Sequence, residues 1–173
     1  MQISIRRETP KDINDIHALE AEAFGSRLEA DIVDCLRDDG ALWLSQVALL
    51  DDRIVGHAAY SLVEISQITN ISRFPALGPI AVAPANQRQG IGGALIRAGI
   101  EVVRDAGFGL LFLVGNPGYY PRFGFQPALP LGFNSDWVKP GGRHEHFMVF
   151  VLDQSLIGCV RGHMRFHSAF PDP

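Results

Sequence analysis

Apolar residues recur along this chain at two spacings, every second residue or every third and fourth, and each spacing predicts an element. Ile3 and Ile5 alternate with Ser4 and Arg6, the pattern of a half-buried first strand. Thr9-Pro10-Lys11-Asp12 then opens a helix: Thr9 can accept from orphan N–H groups, Pro10 suits the first helical position, and Asp12 stands where a capping box needs an acid. Ile13, Ile16, Leu19 and Phe24 follow at helical spacing until Gly25 stops the run. Ser26 and Glu29 repeat the capping signal for a second helix, with Leu28, Ile32, Val33 and Leu36 on one face and Gly40 at its end.

Leu44 to Leu50 and Ile54 to Ile65 read as two strands joined at Asp51-Asp52-Arg53, close enough to form an antiparallel hairpin. Ser66 to Ala76 is polar and irregular, contains Pro75, and reads as a long loop. Leu77 to Val82 is the fourth strand. A glycine-rich turn, Gln87-Arg88-Gln89-Gly90-Ile91-Gly92-Gly93, leads into a helix with Ile91, Ala94, Leu95, Ala98 and Val102 on one face. Leu110 to Val114, bounded by glycines, is a strand buried on both faces and expected to lie parallel to the fourth. Pro117 to Phe123 is a short helical or turn segment, Phe125 starts a strand, and Phe147 to Leu152 is another. The pattern places one domain over residues 1–152 and a tail over 153–173 that holds no strong period and whose structure the sequence does not assign.

Composition narrows the class. At 173 residues, 47% hydrophobic and 20% charged, the chain can bury a sufficient core without disulfides or a structural metal. A net charge of −4, with Lys11 and Lys139 the only lysines, argues against nucleic acid as a partner. The absence of a run of about 18 apolar residues and of a signal peptide argues against a membrane and predicts a cytoplasmic address. Cys35 and Cys159 lack the spacing of a zinc site and read as packing residues. His144-Glu145-His146 would put two imidazoles on one face of a strand, but no Cys or Asp cluster joins them, so no metal is expected.

A glycine-rich turn between strand and helix gathers backbone N–H groups at the positive helix end, which is a phosphate site. The dinucleotide fingerprint fails, because Gly90-Ile91-Gly92-Gly93-Ala94-Leu95 lacks the last glycine and no acid follows the next strand. The P-loop fails because the chain has no Gly-Lys pair. Gln87-Arg88-Gln89-Gly90-Ile91-Gly92 instead resembles the Q/R-x-x-G-x-G/A signature of the GCN5-related N-acetyltransferase (GNAT) family. Downstream, Tyr119-Tyr120-Pro121-Arg122-Phe123-Gly124-Phe125 looks like that family's F-Y-x-x-x-G-F segment. With Gly56-His57 and Gly115-Asn116-Pro117, the motifs resemble a bacterial subgroup of N-acetyltransferases, over roughly Ile3 to Leu152.

The resemblance implies an α/β fold with a mixed, mostly antiparallel sheet of six or seven strands flanked by helices. It implies acetyl-coenzyme A as cosubstrate, with Ile80, Ala81 and Val82 giving backbone groups to the pantetheine arm between splayed fourth and fifth strands. Gln87, Arg88, Gln89, Gly90, Ile91, Gly92 and Gly93 would hold the pyrophosphate, with Asn116 and Tyr119 packing on the cofactor. The Val82 N–H would face the oxyanion and Tyr120 would be the general acid.

The family's fourth-strand glutamate is missing here, since Gly78, Pro79 and Ile80 stand in its place. Glu64 on the third strand is the leading candidate base among the side chains, with Glu22, Glu29, His57, a water relay or an already neutral amine as alternatives; His57, between Gly56 and Ala58 in an apolar strand, also reads as a satisfied core residue. The expected activity is direct transfer of acetyl to a primary amine of open identity, against the alternative of a non-catalytic acyl-coenzyme A sensor. Acyl-chain preference and oligomeric state stay open, a homodimer being common in the family.

Overall fold

The computed structural model describes residues 3–66, 71–138 and 144–171. Residues 67–70, within the loop expected from Ser66 to Ala76, lie outside the described residues. The chain divides into two compact units, Met1–Ser61 with Gly78–Glu101 and Leu62–Leu77 with Val102–Pro173.

The first unit contains β1 (Ser4–Arg7), α1 (Ile13–Phe24), α2 (Leu28–Asp38) and β2 (Leu42–Leu50). To these it adds β3 (Arg53–Ser66) as far as Ser61, β4 (Ile71–Val82) from Gly78, and α3 (Ile91–Asp105) as far as Glu101. Its strands run in the order β1-β2-β3-β4. β1 pairs antiparallel with β2 from Ser4↔Leu49 to Arg7↔Gln46, and β2 with β3 from Leu42↔Ser61 to Leu50↔Arg53. The expected hairpin forms because Asp51 and Asp52 both take positive φ, 49° and 60°, the twist that a two-residue turn between right-twisted strands needs.

The Thr9–Asp12 signal works through Asp12. Arg6 clasps its carboxylate with bonds of 2.6 and 3.0 Å, and the Thr9 N–H and hydroxyl both donate to Oδ2, at 2.6 and 2.9 Å. The segment Pro10–Asp12 is a 3-10 turn leading into α1.

The helix faces differ in part from the spacing's expectation. Ile16, Leu19, Ile32, Val33 and Leu36 are buried, but Phe24 and Leu28, on either side of Gly25, are 45% and 50% exposed. On α3 the buried line is Ile91, Leu95, Ile96, Ile100 and Val103, whereas Ala94, Ala98 and Val102 are half-buried. Both stripes satisfy helical spacing; the sheet selects the one with larger side chains, which buries more apolar area.

The second unit takes β3 from Leu62 and β4 to Leu77, and adds β5 (Leu110–Val114), β6 (Gln126–Pro127), β7 (Phe133–Ser135), β8 (Phe147–Val151) and β9 (Gly162–Arg165). Its order is β9-β3-β4-β5-β8-β6, with β7 parallel to β9. As expected, β4 and β5 run parallel, through Ala76↔Phe112 and Leu77↔Leu113. Phe112 is the centre of this core, with Phe133 and Phe147 at centroid distances of 5.1 and 5.9 Å and Phe74 at 6.2 Å. Such pairs contribute about 0.5–1.5 kcal/mol each beyond area burial.

Two expectations are corrected, and the tail, left undetermined by the sequence, gains a structure. Among the described residues the strands number nine, not six or seven, because β7 and β9 are too short to show a period yet pair with each other, and β9 with β3. β4 starts at Ile71, not Leu77, and continues through Pro75; its pairing with β5 begins only at Ala76, so β5 asks no N–H of the proline. The tail contributes β9, which pairs with β3 at Glu64↔Arg165, Ile65↔Met164 and Ser66↔His163. The fold class is as expected, mixed α/β with a mostly antiparallel sheet. Among the described residues no helix is long and apolar enough to cross a membrane.

Hydrogen bonds from Arg6, with support from Thr9, outweigh burial and hold the Asp12 carboxyl well below its ordinary value of 3.8. Its stabilising contribution is therefore complete above about pH 4 and is lost as pH falls below that value towards the lower folded pKa. Asp12→Asn is expected to cost about 1 kcal/mol or more at pH 7 and to flatten the acid limb of the stability curve, as read from urea melts between pH 2 and 7. An acid limb identical to wild type would refute this role.

Candidate active site

The glycine-rich turn forms at the end of β4 in the first unit. The Ala83 N–H donates to the Val55 carbonyl of β3 at 3.0 Å, tying down the residue that follows Val82. Pro84–Asn86 makes a 3-10 turn, and the Gln87 side chain donates back to the Val82 carbonyl at 3.1 Å. Gln89 donates likewise to the Ala85 carbonyl at 3.3 Å. Both glutamines therefore brace the turn.

Arg88 has φ +60° and Gly90 φ +86°, two left-handed residues that turn the chain sharply into α3 at Ile91. A Cβ at Gly90 would meet nothing within 4 Å, so the glycine is demanded by backbone conformation. The first N–H groups of a helix have no partner within it, and those of Ile91, Gly92 and Gly93 open α3 directly after this turn. Arg88 itself is exposed. The arrangement suits an anion held by backbone dipoles.

The second motif forms after β5 in the second unit. The Asn116 side-chain oxygen accepts from the Gly118 N–H at 2.8 Å, and its carbonyl accepts from Tyr119 and Tyr120 at 2.9 and 3.3 Å. This leads into a 3-10 turn, Tyr120–Phe123. The Tyr120 ring lies against the backbone of Gly115, where a Cβ would come within 2.2 Å of Cε2. Phe125 and Tyr119 pack edge-on against it at 5.9 and 5.2 Å. Burial, with a smaller contribution from Tyr119, pushes the Tyr120 phenol up to about 12. Tyr119 carries the Arg122 guanidinium 4.7 Å from its ring centre.

The candidate bases are scattered. Oε1 of Glu64 accepts from Arg73 at 3.0 and 2.7 Å, and Glu64 stands opposite Arg165 across β9. Glu29 accepts from Ser26 at 3.0 Å. Glu22 borders an open pocket of about 370 Å³ with Asp15, Asp52 and Ala83. His57 is wholly buried, with Nδ1 2.5 Å from Glu20 Oε1 and Nε2 2.9 Å from the Ser45 hydroxyl. It is closed to any substrate.

Sequence reasoning missed Glu20, although its helical spacing from Ile13 and Ile16 puts it on the apolar face of α1. His144-Glu145-His146 forms a 3-10 turn, not part of a strand, so the facing imidazoles inferred from alternation do not arise. Among the described residues no group of three His, Cys, Asp or Glu side chains is placed to hold a metal.

Known proteins share this architecture. The acetyltransferase (GNAT) domain family matches residues 4–128. The N-acetyltransferase YjhQ of Escherichia coli is 38% identical over 160 residues, 89% of this chain and 86% of that protein. The crystal structure of the E. coli GNAT N-acetyltransferase YhbS in complex with CoA has a TM-score of 0.88 at 29% identity, over 97% of this chain and 91% of the other. A Brucella melitensis GNAT acetyltransferase in complex with acetyl-CoA gives 0.79 at 34% identity, over 98% and 99%. With both motifs in order and the fold shared over nearly its whole length, the chain belongs to the GNAT acetyltransferase family.

Proposed function

We propose that this chain transfers the acetyl group of acetyl-coenzyme A to a primary amine by direct attack. The observation that carries the reading is the turn at Arg88 and Gly90, whose two positive φ angles present the amide groups opening α3 to an anionic ligand. Residues 87–93 fit a pyrophosphate, and the exposed Arg88 adds positive charge near it. The backbone of Ile80, Ala81 and Val82 offers strand-type hydrogen bonds to the pantetheine arm. Acetyl-coenzyme A supplies an acyl thioester already activated for attack by an amine.

Each remaining task falls to a residue of this chain. The Val82 N–H donates where negative charge develops on the acyl oxygen; a comparable oxyanion donor is worth about 3–4 kcal/mol. The Tyr120 hydroxyl, raised to about 12, holds its proton throughout the neutral range and gives it to the departing sulfur. The ammonium proton of the acceptor leaves to Glu64, directly or through water, to give the free amine that attacks; the second N–H proton leaves to water as the tetrahedral intermediate collapses, and Tyr120 and Glu64 then exchange protons with solvent, the net release being one proton. No step calls for a metal.

Isothermal titration is expected to show micromolar acetyl-coenzyme A binding and none of NAD or ATP. Gly90→Val, which forces a branched side chain to φ +86°, should weaken that binding at least about tenfold in a folded protein. No binding by the wild type would overturn the cosubstrate assignment.

Tyr120→Phe should lower kcat by about a hundredfold, within the usual range for a general acid, and leave acetyl-coenzyme A affinity within about twofold. Because Tyr120 is protonated below about 12, kcat should not fall between pH 7 and 10 through its ionisation. Unchanged turnover in Tyr120→Phe would remove it as the acid. Binding without turnover on any amine tried would favour the sensor.

A further inference from the structure

Val55, Gly56 and His57 are consecutive on β3, and each grips a different part of the first unit. The Val55 carbonyl holds the Ala83 N–H at 3.0 Å, where the chain enters the glycine-rich loop. Gly56 faces the start of α3, where the loop ends: a Cβ there would stand 2.9 Å from Ile91 and 3.0 Å from Leu95. His57 points to the opposite face of the strand, and both its ring nitrogens are engaged, by Glu20 of α1 and Ser45 of β2.

The hydrogen bonds continue outward. The Ser45 hydroxyl also donates to Glu8, which Arg37 clasps at 2.9 and 3.0 Å, and Arg37 reaches Asp34 at 2.6 Å. Burial disfavours the ionised form of Glu8, but the hydrogen bonds from Arg37 and Ser45 outweigh it and hold its carboxyl below the usual range. Inward, the string ends at Glu20, which is wholly buried and whose Oε2 has no hydrogen-bond partner among the described residues. His57 thus holds the Glu20 carboxylate by a hydrogen bond at Oε1. Hydroxyl, imidazole and carboxylate follow one another as in a nucleophilic triad, yet Ser45 is 6% exposed and His57 wholly buried, so no substrate reaches them.

We propose that the buried Glu20–His57–Ser45 string is a positioning device for the glycine-rich loop. By fixing His57 at both nitrogens it fixes β3 at Val55 and Gly56, and so places Ala83 and Ile91, the two ends of the loop. His57 and Glu20 are positioning residues. The inference rests on the loop being the acetyl-coenzyme A site, as proposed above.

The test compares wild type, His57→Gln, Glu20→Gln and, as a control of general destabilisation, Val33→Ala, a buried core residue on the same face of the sheet. Acetyl-coenzyme A titration, steady-state kinetics and amide hydrogen exchange at Ala83 are read for each. His57→Gln should weaken acetyl-coenzyme A binding about tenfold or more, with the loss in KM and not in kcat, and speed exchange at the Ala83 amide at least about tenfold. Glu20→Gln, which keeps an acceptor for His57, should shift both in the same direction by less. Val33→Ala should lower the melting temperature and leave affinity within about twofold.

Wild-type affinity and wild-type Ala83 exchange in both polar variants would overturn the proposal, as would an equal loss of affinity in Val33→Ala. Should His57→Gln not fold, Glu20→Gln carries the same test. Should the wild type itself not bind acetyl-coenzyme A, the proposed function fails, and Ala83 exchange still decides the positioning role.

Discussion

The contact between Glu20 and His57 is the constraint on which the first unit turns. Two polar side chains with no exposure, 2.5 Å apart, must find their hydrogen bonds inside the protein: Glu20 with His57, and His57 with Glu20 and Ser45. A buried donor or acceptor left without its partner costs about 1–3 kcal/mol, so α1 and β3 have little freedom to slide. The contact also specifies register, because a slip of one residue in β3 would turn His57 towards α3 and Gly56 towards α1. Gly56 beneath Ile91, the β2 pairing and the attachment of Ala83 all follow from the register in which these two groups meet.

The two units carry different chemistry. The first offers backbone groups: the strand edge at Ile80–Val82, the left-handed Arg88 and Gly90, and the amides that open α3. Side chains matter there chiefly as braces, as Gln87 and Gln89 show by bonding to carbonyls of their own turn. The second unit offers one hydroxyl, whose ring is set by Gly115, Phe125 and Tyr119. Burial keeps that hydroxyl protonated, which is what an acid for a departing thiolate needs.

The second unit is held together by rings more than by polar contacts. Phe112 touches Phe74, Phe133 and Phe147, three residues spread over more than seventy positions of sequence. The tail joins the same core through Met164 on β9, wholly buried, so residues beyond the last long strand belong to its structure. β9 also sets Arg165 opposite Glu64, a neighbour for the candidate base that lies about a hundred residues away in the chain.

The order of the main helices and strands, the hairpin at Asp51-Asp52, the parallel fourth and fifth strands and the glycine-rich turn were legible in the sequence. Each is written in local spacing or in residues whose backbone preferences act within a few positions. What proximity in space creates was not legible. The short strands β7 and β9 form because a partner edge is waiting, and β4 begins at Ile71 and continues through Pro75, ahead of the residues that pair with β5. Two apolar stripes on α3 were equally periodic, and the sheet chose between them. The pairing of Glu20 with His57 joins residues 37 apart in sequence, and only the folding of α1 onto β3 turns a histidine in an apolar strand from a candidate base into a buried hydrogen-bonded brace. Sequence alone determined the family and the cosubstrate class and nominated Tyr120 for the role proposed, because those reside in contiguous motifs; tertiary structure decided which titratable groups are buried together, because a hydrogen bond depends on distance in space.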